Sequence, residues 1–339
     1  MRIGVLGAGS IGCYVGAHLI QAGHEVVLIG RDRLRAAVAA DGLHISTTGA
    51  KDFHLPAARV RVATSVAAAA DCELILVTVK SADTAAAAGA LAALPHPGRS
   101  IVSLQNGLHN AAVLRTQLPG DQVLAAMVPW NVVWREPAHF HRGTSGVILL
   151  EAAGPAADRV VAVLRAAGLA TRTHAQLANV LWGKLLLNLN NPINALCGLP
   201  LRQQLAERGY RLILSALMRE ALALMAAAGI RPAKAAALPP RWLPTLLRMP
   251  DAIFLRLASA MLKLDPQARS SMAEDMDRGR ATEIDYINGE VVRLAASIQR
   301  TAPLNAAMVA LVHAAEATHY SPRLSANALA QALGLRGDC

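Results

Sequence analysis

Hydrophobic and polar positions along this chain fall into two textures that change near residue 170. In the first half, short apolar runs at Ile3–Leu6, Glu25–Ile29, "ELILVTV" and "SIVSLQN" are bounded by turn residues. Between them lie helical stretches, the apolar Ile11–Gln21 and the alanine-rich Ala82–Leu94. Continuous apolar runs of this length read as strands buried on both faces, and strands alternating with helices imply a parallel sheet. "LHISTTG", "VLAAMVPWNVVW" and "GVILLE" add further strands. From Asn179 to Leu333 the spacing is helical and strand signals nearly vanish. Prolines at 239, 240, 244 and 250 make "PPRWLPTLLRMPDAIFLRLASAMLKLDP" the most irregular part, because proline breaks helices. The pattern predicts an α/β domain over residues 1–172 and an all-α domain over 173–339.

Composition narrows the function classes. At 54% hydrophobic and 17% charged the chain can bury a large core, and with 3% aromatic residues that core is aliphatic. The net charge of +10 raises nucleic acid as a partner, but the 33 Lys and Arg form no dense basic run. Aromatics for base stacking are nearly absent, so nucleic acid is not expected and an anionic cofactor and substrate account for part of the excess. Cys13, Cys72, Cys197 and Cys339 form no C-x-x-C, which argues against a zinc site or disulfide framework and fits a reducing, cytoplasmic setting. Ile3–His24 carries no Lys, Arg, Asp or Glu, yet six glycines within it argue against a leader or a membrane span.

Gly7-Ala8-Gly9-Ser10-Ile11-Gly12 is a G-x-G-x-x-G turn placed directly after a strand and opening a helix. Gly7 makes the tight turn, Gly9 lets backbone approach a pyrophosphate, and Gly12 permits close helix–strand packing. This is the dinucleotide fingerprint of a Rossmann-type domain. After the second strand the chain reads Gly30-Arg31-Asp32-Arg33. Arg31 could pair with a ribose 2′-phosphate, which favours NADP(H) over NAD, although Asp32 follows one position later. Lys80 and Asn106 end two further strands, at the edge where doubly wound sheets bind ligands.

"WGKLLLNLNNPINALCG" (182–198) places one lysine and four asparagines in a greasy helix. Lys184 and Asn188 are four apart and Asn191 three further, so the three form one polar stripe before Pro192 bends the chain. Buried amides and a lone ammonium are costly without partners, and a small polar ligand would supply them.

These residues carry a resemblance to the 2-dehydropantoate 2-reductase (ketopantoate reductase) family that spans nearly the whole chain. Its elements are GAGSIG at 7–12, "VTVKS" around Lys80, "QNG" around Asn106, "WGKLLLN" around Lys184 and "SSMAEDMDRGRATEIDYING" at 270–289. The resemblance implies a Rossmann domain, a helical domain like the C-terminal domain of 6-phosphogluconate dehydrogenase, and NADPH as hydride donor to a small anionic keto acid. It implies Lys184 as proton donor, with Asn188, Ser271 and Asn106 on the substrate. Asn106 would also touch the cofactor, as would Arg31, Lys80 and Glu283. The family's second helix asparagine commonly stands eight residues after the lysine, where this chain has Pro192. Asn191 is therefore the candidate and Asn194 its competitor. Glu283 could keep Lys184 charged or orient the substrate hydroxyl.

A related reductase of another 2- or 3-keto acid leaves every motif intact. A non-catalytic NADPH-sensing protein would be expected to lose Lys184 or Glu283, and both are present. His139-x-His141 reads as a surface turn and not as a metal site, Cys13 as a small packing residue, and Met272 and Met276 as core. No metal is expected. Long helices at Ile213–Ala228 and Ala281–Ile298 could bury a homodimer contact.

Overall fold

The computed structural model describes residues 1–95, 98–234, 238–257, 267–318 and 320–335, so Cys339 and part of the proline-rich stretch lie outside the described residues. Two compact units divide the chain, Met1–Leu177 and Ala178–Cys339.

The first unit contains the strands β1 (Arg2–Leu6), β2 (Glu25–Ile29), β3 (Leu43–Thr47), β4 (Phe53–Leu55), β5 (Arg61–Ala63), β6 (Leu74–Val77), β7 (Ser100–Ser103), β8 (Gln122–Met127), β9 (Val132–Arg135), β10 (His139–Arg142), β11 (Ile148–Glu151) and β12 (Thr171–His174). Its helices are α1 (Ser10–Gln21), α2 (Asp32–Asp41), α3 (Thr84–Ala92), α4 (Asn110–Gln117) and α5 (Pro155–Ala166). Eight strands form the main sheet in the order β12-β11-β8-β7-β6-β1-β2-β5. Neighbours pair in parallel except β8 and β11, which are antiparallel. The period of two along each strand divides the core. Ile3, Val5, Leu74, Leu76, Val102 and Leu124 join α1 and α5 in one cluster. Ile75, Val77, Ile101 and Val123 join α3 and α4 in the other. Both faces of the central strands are thus covered, which is why their sequences are unbroken apolar runs.

Several sequence expectations need correction here. "LHISTTG" does form a strand, β3, but in a separate four-stranded sheet of order β4-β3-β10-β9. The sheet inferred as parallel therefore has an antiparallel pair and a second sheet beside it. His139 and His141 stand on β10 and not on a turn. Their alternation with the fully buried Phe140 makes β10 amphipathic, with its apolar side in the same cluster as α1. The short strands β4, β5 and β12 carry too little apolar sequence to announce themselves.

The second unit is helical throughout its described residues. It comprises α6 (Leu177–Asn188, beginning at the unit boundary), α7 (Asn190–Cys197), α8 (Leu201–Ala206), α9 (Arg208–Ala227), α10 (Leu243–Leu247), α11 (Asp251–Leu257), α12 (Ser271–Asp277), α13 (Asn288–Ser297), α14 (Pro303–Thr318) and α15 (Ala326–Ala332). The 20-residue α9 is the central element, packed by α8, α10, α13, α14 and α15. Its fully buried Arg211 donates to the carbonyls of Leu205, Ala206, Leu247 and Met249 and pairs with Asp251 at 2.5 Å. One guanidinium thus satisfies the ends of α8 and α10 together. The helix expected over 281–298 is shorter: Ile284–Tyr286 form a 3-10 turn and α13 starts at Asn288. Met272 and Met276 are core. Among the described residues no helix is long and apolar enough to cross a membrane.

Candidate active site

The candidate residues fall into two groups, one in each unit. In the first, β1 runs into the glycine turn at the point where the sheet order reverses, with β2 on one side of β1 and β6 on the other. Gly7 sits at φ +87°, and a Cβ there would fall 2.5 Å from the Val79 backbone nitrogen. A Cβ on Gly12 would fall 2.5 Å from Thr78 Oγ1. These two glycines are demanded by packing. Gly9 differs: a Cβ there would meet only the Gly7 oxygen, at 3.8 Å. The space over Gly9 is open, and α1 starts from it with no side-chain cap. An open backbone surface at an uncapped helix start is what a pyrophosphate requires, so the cradle fits a dinucleotide. Thr78 Oγ1 donates to Gly7 O at 2.8 Å and ties the turn to the end of β6. Ala8, Ser10 and Ile11 complete the turn, and behind it Cys13 is fully buried, its thiol pushed upward by burial and donating to Ala8 O.

Arg31 lies exposed just past β2 and caps the start of α2 by position. Asp32 pairs with Arg35 at 2.7 Å, and Arg33 pairs with Glu136. Lys80 and Asn106 do not end their strands: β6 stops at Val77 and β7 at Ser103, so both stand on the loops that follow. A buried polar network holds those loops together. Ser81 Oγ donates to Asn106 O at 2.9 Å, and the Asn110 amide donates to both Ser81 Oγ and Asn106 O. Gln105 Nε2 donates to Val79 O and to Thr84 Oγ1, which donates to Asn110 Oδ1. Ser81, Thr84, Gln105 and Asn110 were not singled out from sequence; the "QNG" and "KSADT" contexts were the available signal.

In the second unit, Lys184 and Asn188 lie one turn apart on α6. Burial lowers the Lys184 pKa to about 8, the larger influence, while the Glu283 carboxylate opposes it by favouring the charged form. Asn191 is not on the same helix: α6 ends at Asn188 and α7 begins at Asn190. Pro192 has no N–H to return to the Asn188 carbonyl, so the break falls ahead of the proline and not at it.

The break feeds a buried knot of amides. Gln204, with no exposed surface, donates to Asn190 Oδ1 at 2.7 Å and accepts from Asn190 Nδ2 and Asn194 Nδ2. Asn194, also fully buried, donates to Leu199 O and accepts from the Ser270 backbone N–H at 2.8 Å. Ser270 Oγ donates to Asn191 O and accepts from Ala273 N as the cap of α12. Asn194 is therefore consumed in packing, whereas Asn191 is partly accessible. Ser271 is the exposed first residue of α12, and the knot brings its segment to the start of α7. Glu283 precedes the 3-10 turn at Ile284–Tyr286.

A dinucleotide turn on a doubly wound sheet, followed by a helical unit with a desolvated lysine, defines a class: two-unit oxidoreductases that use a nicotinamide cofactor. Comparison with known proteins narrows it. The profile described as "Ketopantoate reductase PanE/ApbA" matches residues 3–154, and that of its C-terminal part matches 176–316. The 2-dehydropantoate 2-reductase of Halobacterium salinarum is 29% identical over 322 residues, covering 93% of this chain and 99% of the relative. That of Caulobacter vibrioides is 28% identical over 92% of this chain and 98% of its own. The crystal structure of a PanE/ApbA family ketopantoate reductase from Ralstonia eutropha superposes with a TM-score of 0.80 at 30% identity, over 94% of this chain and 99% of that one. A D-mandelate dehydrogenase shares the fold at 20% identity and a TM-score of 0.76. The chain belongs to the ketopantoate reductase PanE/ApbA family.

Proposed function

We propose that this protein reduces 2-dehydropantoate to pantoate with NADPH, a step of pantothenate and coenzyme A synthesis. The observation that carries the reading is Lys184 on α6, whose pKa burial lowers to about 8 while the Glu283 carboxylate favours its charged form. NADPH, when bound, supplies a hydride to the substrate's ketone carbon. The remaining work falls to side chains. Negative charge grows on the ketone oxygen, and Lys184 both polarises that oxygen and gives it a proton. A pKa of about 8 matches this duty, since a donor is most effective near working pH. Asn188 and Asn191 bind the substrate's polar groups, Ser271 its carboxylate, and Asn106 both substrate and cofactor.

The turn from Gly7 to Gly12 takes the pyrophosphate, with Lys80 adding positive charge and Glu283 reaching the nicotinamide end. Arg31 takes the 2′-phosphate. The position of Arg31 just past β2 supports NADP(H) over NAD. The test is oxidation of NADPH by ketopantoate, followed at the nicotinamide absorbance, beside Lys184→Ala. Rapid turnover that collapses in the variant is expected. NADPH binding without turnover would overturn the substrate, and a panel of other 2- and 3-keto acids would then identify the right one. Full activity in Lys184→Ala would overturn the proton donor.

A further inference from the structure

Away from the glycine turn, the four-stranded sheet carries a row of imidazoles. Strand register places His54 of β4 opposite His44 of β3, and His44 opposite His139 of β10. Gly42, between α2 and β3, has φ +69°, and a Cβ there would fall 2.1 Å from Leu55 O and 2.9 Å from His54 Nε2. Only glycine lets the end of α2 come this close to β4, and the result sets Asp41 beside the first two histidines. Asp41 Oδ2 lies 3.1 Å from His44 Nε2. His54 Nε2 lies 2.7 Å from the Asp41 carbonyl oxygen, and the His44 and His54 ring centroids are 4.2 Å apart. One donor atom from each of the three residues falls within 4.8 Å of the others.

Donors about 2.0–2.2 Å from a tetrahedral ion stand roughly 3.3 Å from one another. Asp41 and His44 are already at that spacing, and His54 needs a small ring movement. A second observation points the same way. His44 Nε2 has no accessible surface and no hydrogen bond, so its 3.1 Å approach to Asp41 lacks hydrogen-bonding geometry. A ring nitrogen shielded from water that faces a carboxylate without a hydrogen bond is poorly satisfied, and an ion accepting its lone pair would bridge the two.

We infer that Asp41, His44 and His54 bind a divalent transition-metal cation of the zinc type, with water in the remaining position. Two imidazoles and one carboxylate suit zinc, nickel or copper and not the oxygen-seeking magnesium or calcium. On coordination His54 gives up the hydrogen bond that Nε2–H donates to Asp41 O, and that proton moves to Nδ1 by exchange with solvent, which frees the Nε2 lone pair for the ion. The ion would clamp the end of α2 to the β3–β4 pair, independently of the proposed reductase chemistry.

The test uses the full, tag-free chain after treatment with a chelator. Zinc is titrated in competition with a chromophoric chelator, cobalt(II) by its visible absorption, and thermal unfolding is followed with and without zinc. One equivalent per chain is expected, with a rise of several degrees in the unfolding midpoint. His44→Ala and His54→Ala, both at accessible positions, should each weaken binding tenfold or more and abolish the rise, with unchanged far-UV circular dichroism. His139→Ala and His141→Ala should retain both. Absence of saturable binding at tens of micromolar zinc would overturn the site. So would binding that survives loss of His44 and His54, or that follows His139 and His141.

Discussion

The glycine turn of the first unit works through backbone, and the lysine helix of the second works through side chains. Around Gly7 and Gly12 nothing larger than hydrogen fits, and over Gly9 the surface is bare. Around Lys184 the reverse holds: an ammonium and several amides are placed among leucines, and further along the chain Asn190 and Asn194 are held by a knot of buried hydrogen bonds. The difference teaches where each half is vulnerable. Backbone sites fail by steric overlap, whereas side-chain sites fail by losing a charge or a partner.

The sharpest break in the comparison is chemical. Lys184→Ala should lower kcat by about 10²–10⁴-fold, the usual worth of a positioned acid, while NADPH still binds; stopped-flow turnover with a parallel binding titration measures both. Next in size is the knot. Gln204→Leu removes both hydrogen bonds of the Asn190 amide and one of the two that Asn194 Nδ2 donates, at about 1–3 kcal/mol of stability for each buried group left unsatisfied. If Asn191 and Ser271 bind the keto acid as proposed, loss of the Gln204 knot beneath their segments should raise KM for the keto acid several-fold with kcat much less affected. A fall in stability with unchanged KM would reduce Gln204 to a structural residue.

The glycines sharpen the other side. Gly9→Ala should leave the unfolding midpoint almost unmoved yet raise KM for NADPH about tenfold if, as proposed, the pyrophosphate meets backbone there, since the new methyl would occupy that open space. Gly12→Ala should do the opposite first, costing about 1–3 kcal/mol by overpacking against Thr78. Equal effects from the two would show that Gly9 is a packing residue as well.

The smallest effect is in pH. With the Lys184 pKa lowered to about 8, the charged donor is lost as pH rises through that value. The reduction should therefore decline above pH 8 and the reverse oxidation, which needs the neutral amine, should rise toward it. Between about 8 and 10.5 the unfolded chain holds a proton that the folded chain has released. This group thus makes the fold more stable as pH rises through that window, and Lys184→Ala should remove that contribution from the pH dependence of unfolding.

How far these features could be read in advance depends on how local they are. The G-x-G-x-x-G turn, the unbroken apolar strands β1, β2 and β6 and the helical second half rest on contacts within a few residues, so periodicity and glycine spacing expose them. The placement of β3 in a second sheet depends on β10, nearly a hundred residues later, and no local pattern encodes that pairing. The competition between Asn191 and Asn194 was likewise undecided in one dimension. That Asn194 is consumed in packing rests on a hydrogen bond from Ser270, 76 residues away.

What the sequence determined by itself was the local material: a glycine turn of dinucleotide-binding form, a lysine with amides beside it, and two units of different texture. Those follow from short-range sterics and from the cost of polar groups in apolar surroundings. Only the tertiary structure decided which amides are consumed in packing, where the lysine helix breaks, how far the lysine's pKa falls, and that two histidines and an aspartate converge on the small sheet. Each of those is a property of a particular neighbour, and neighbours are assigned when distant segments meet.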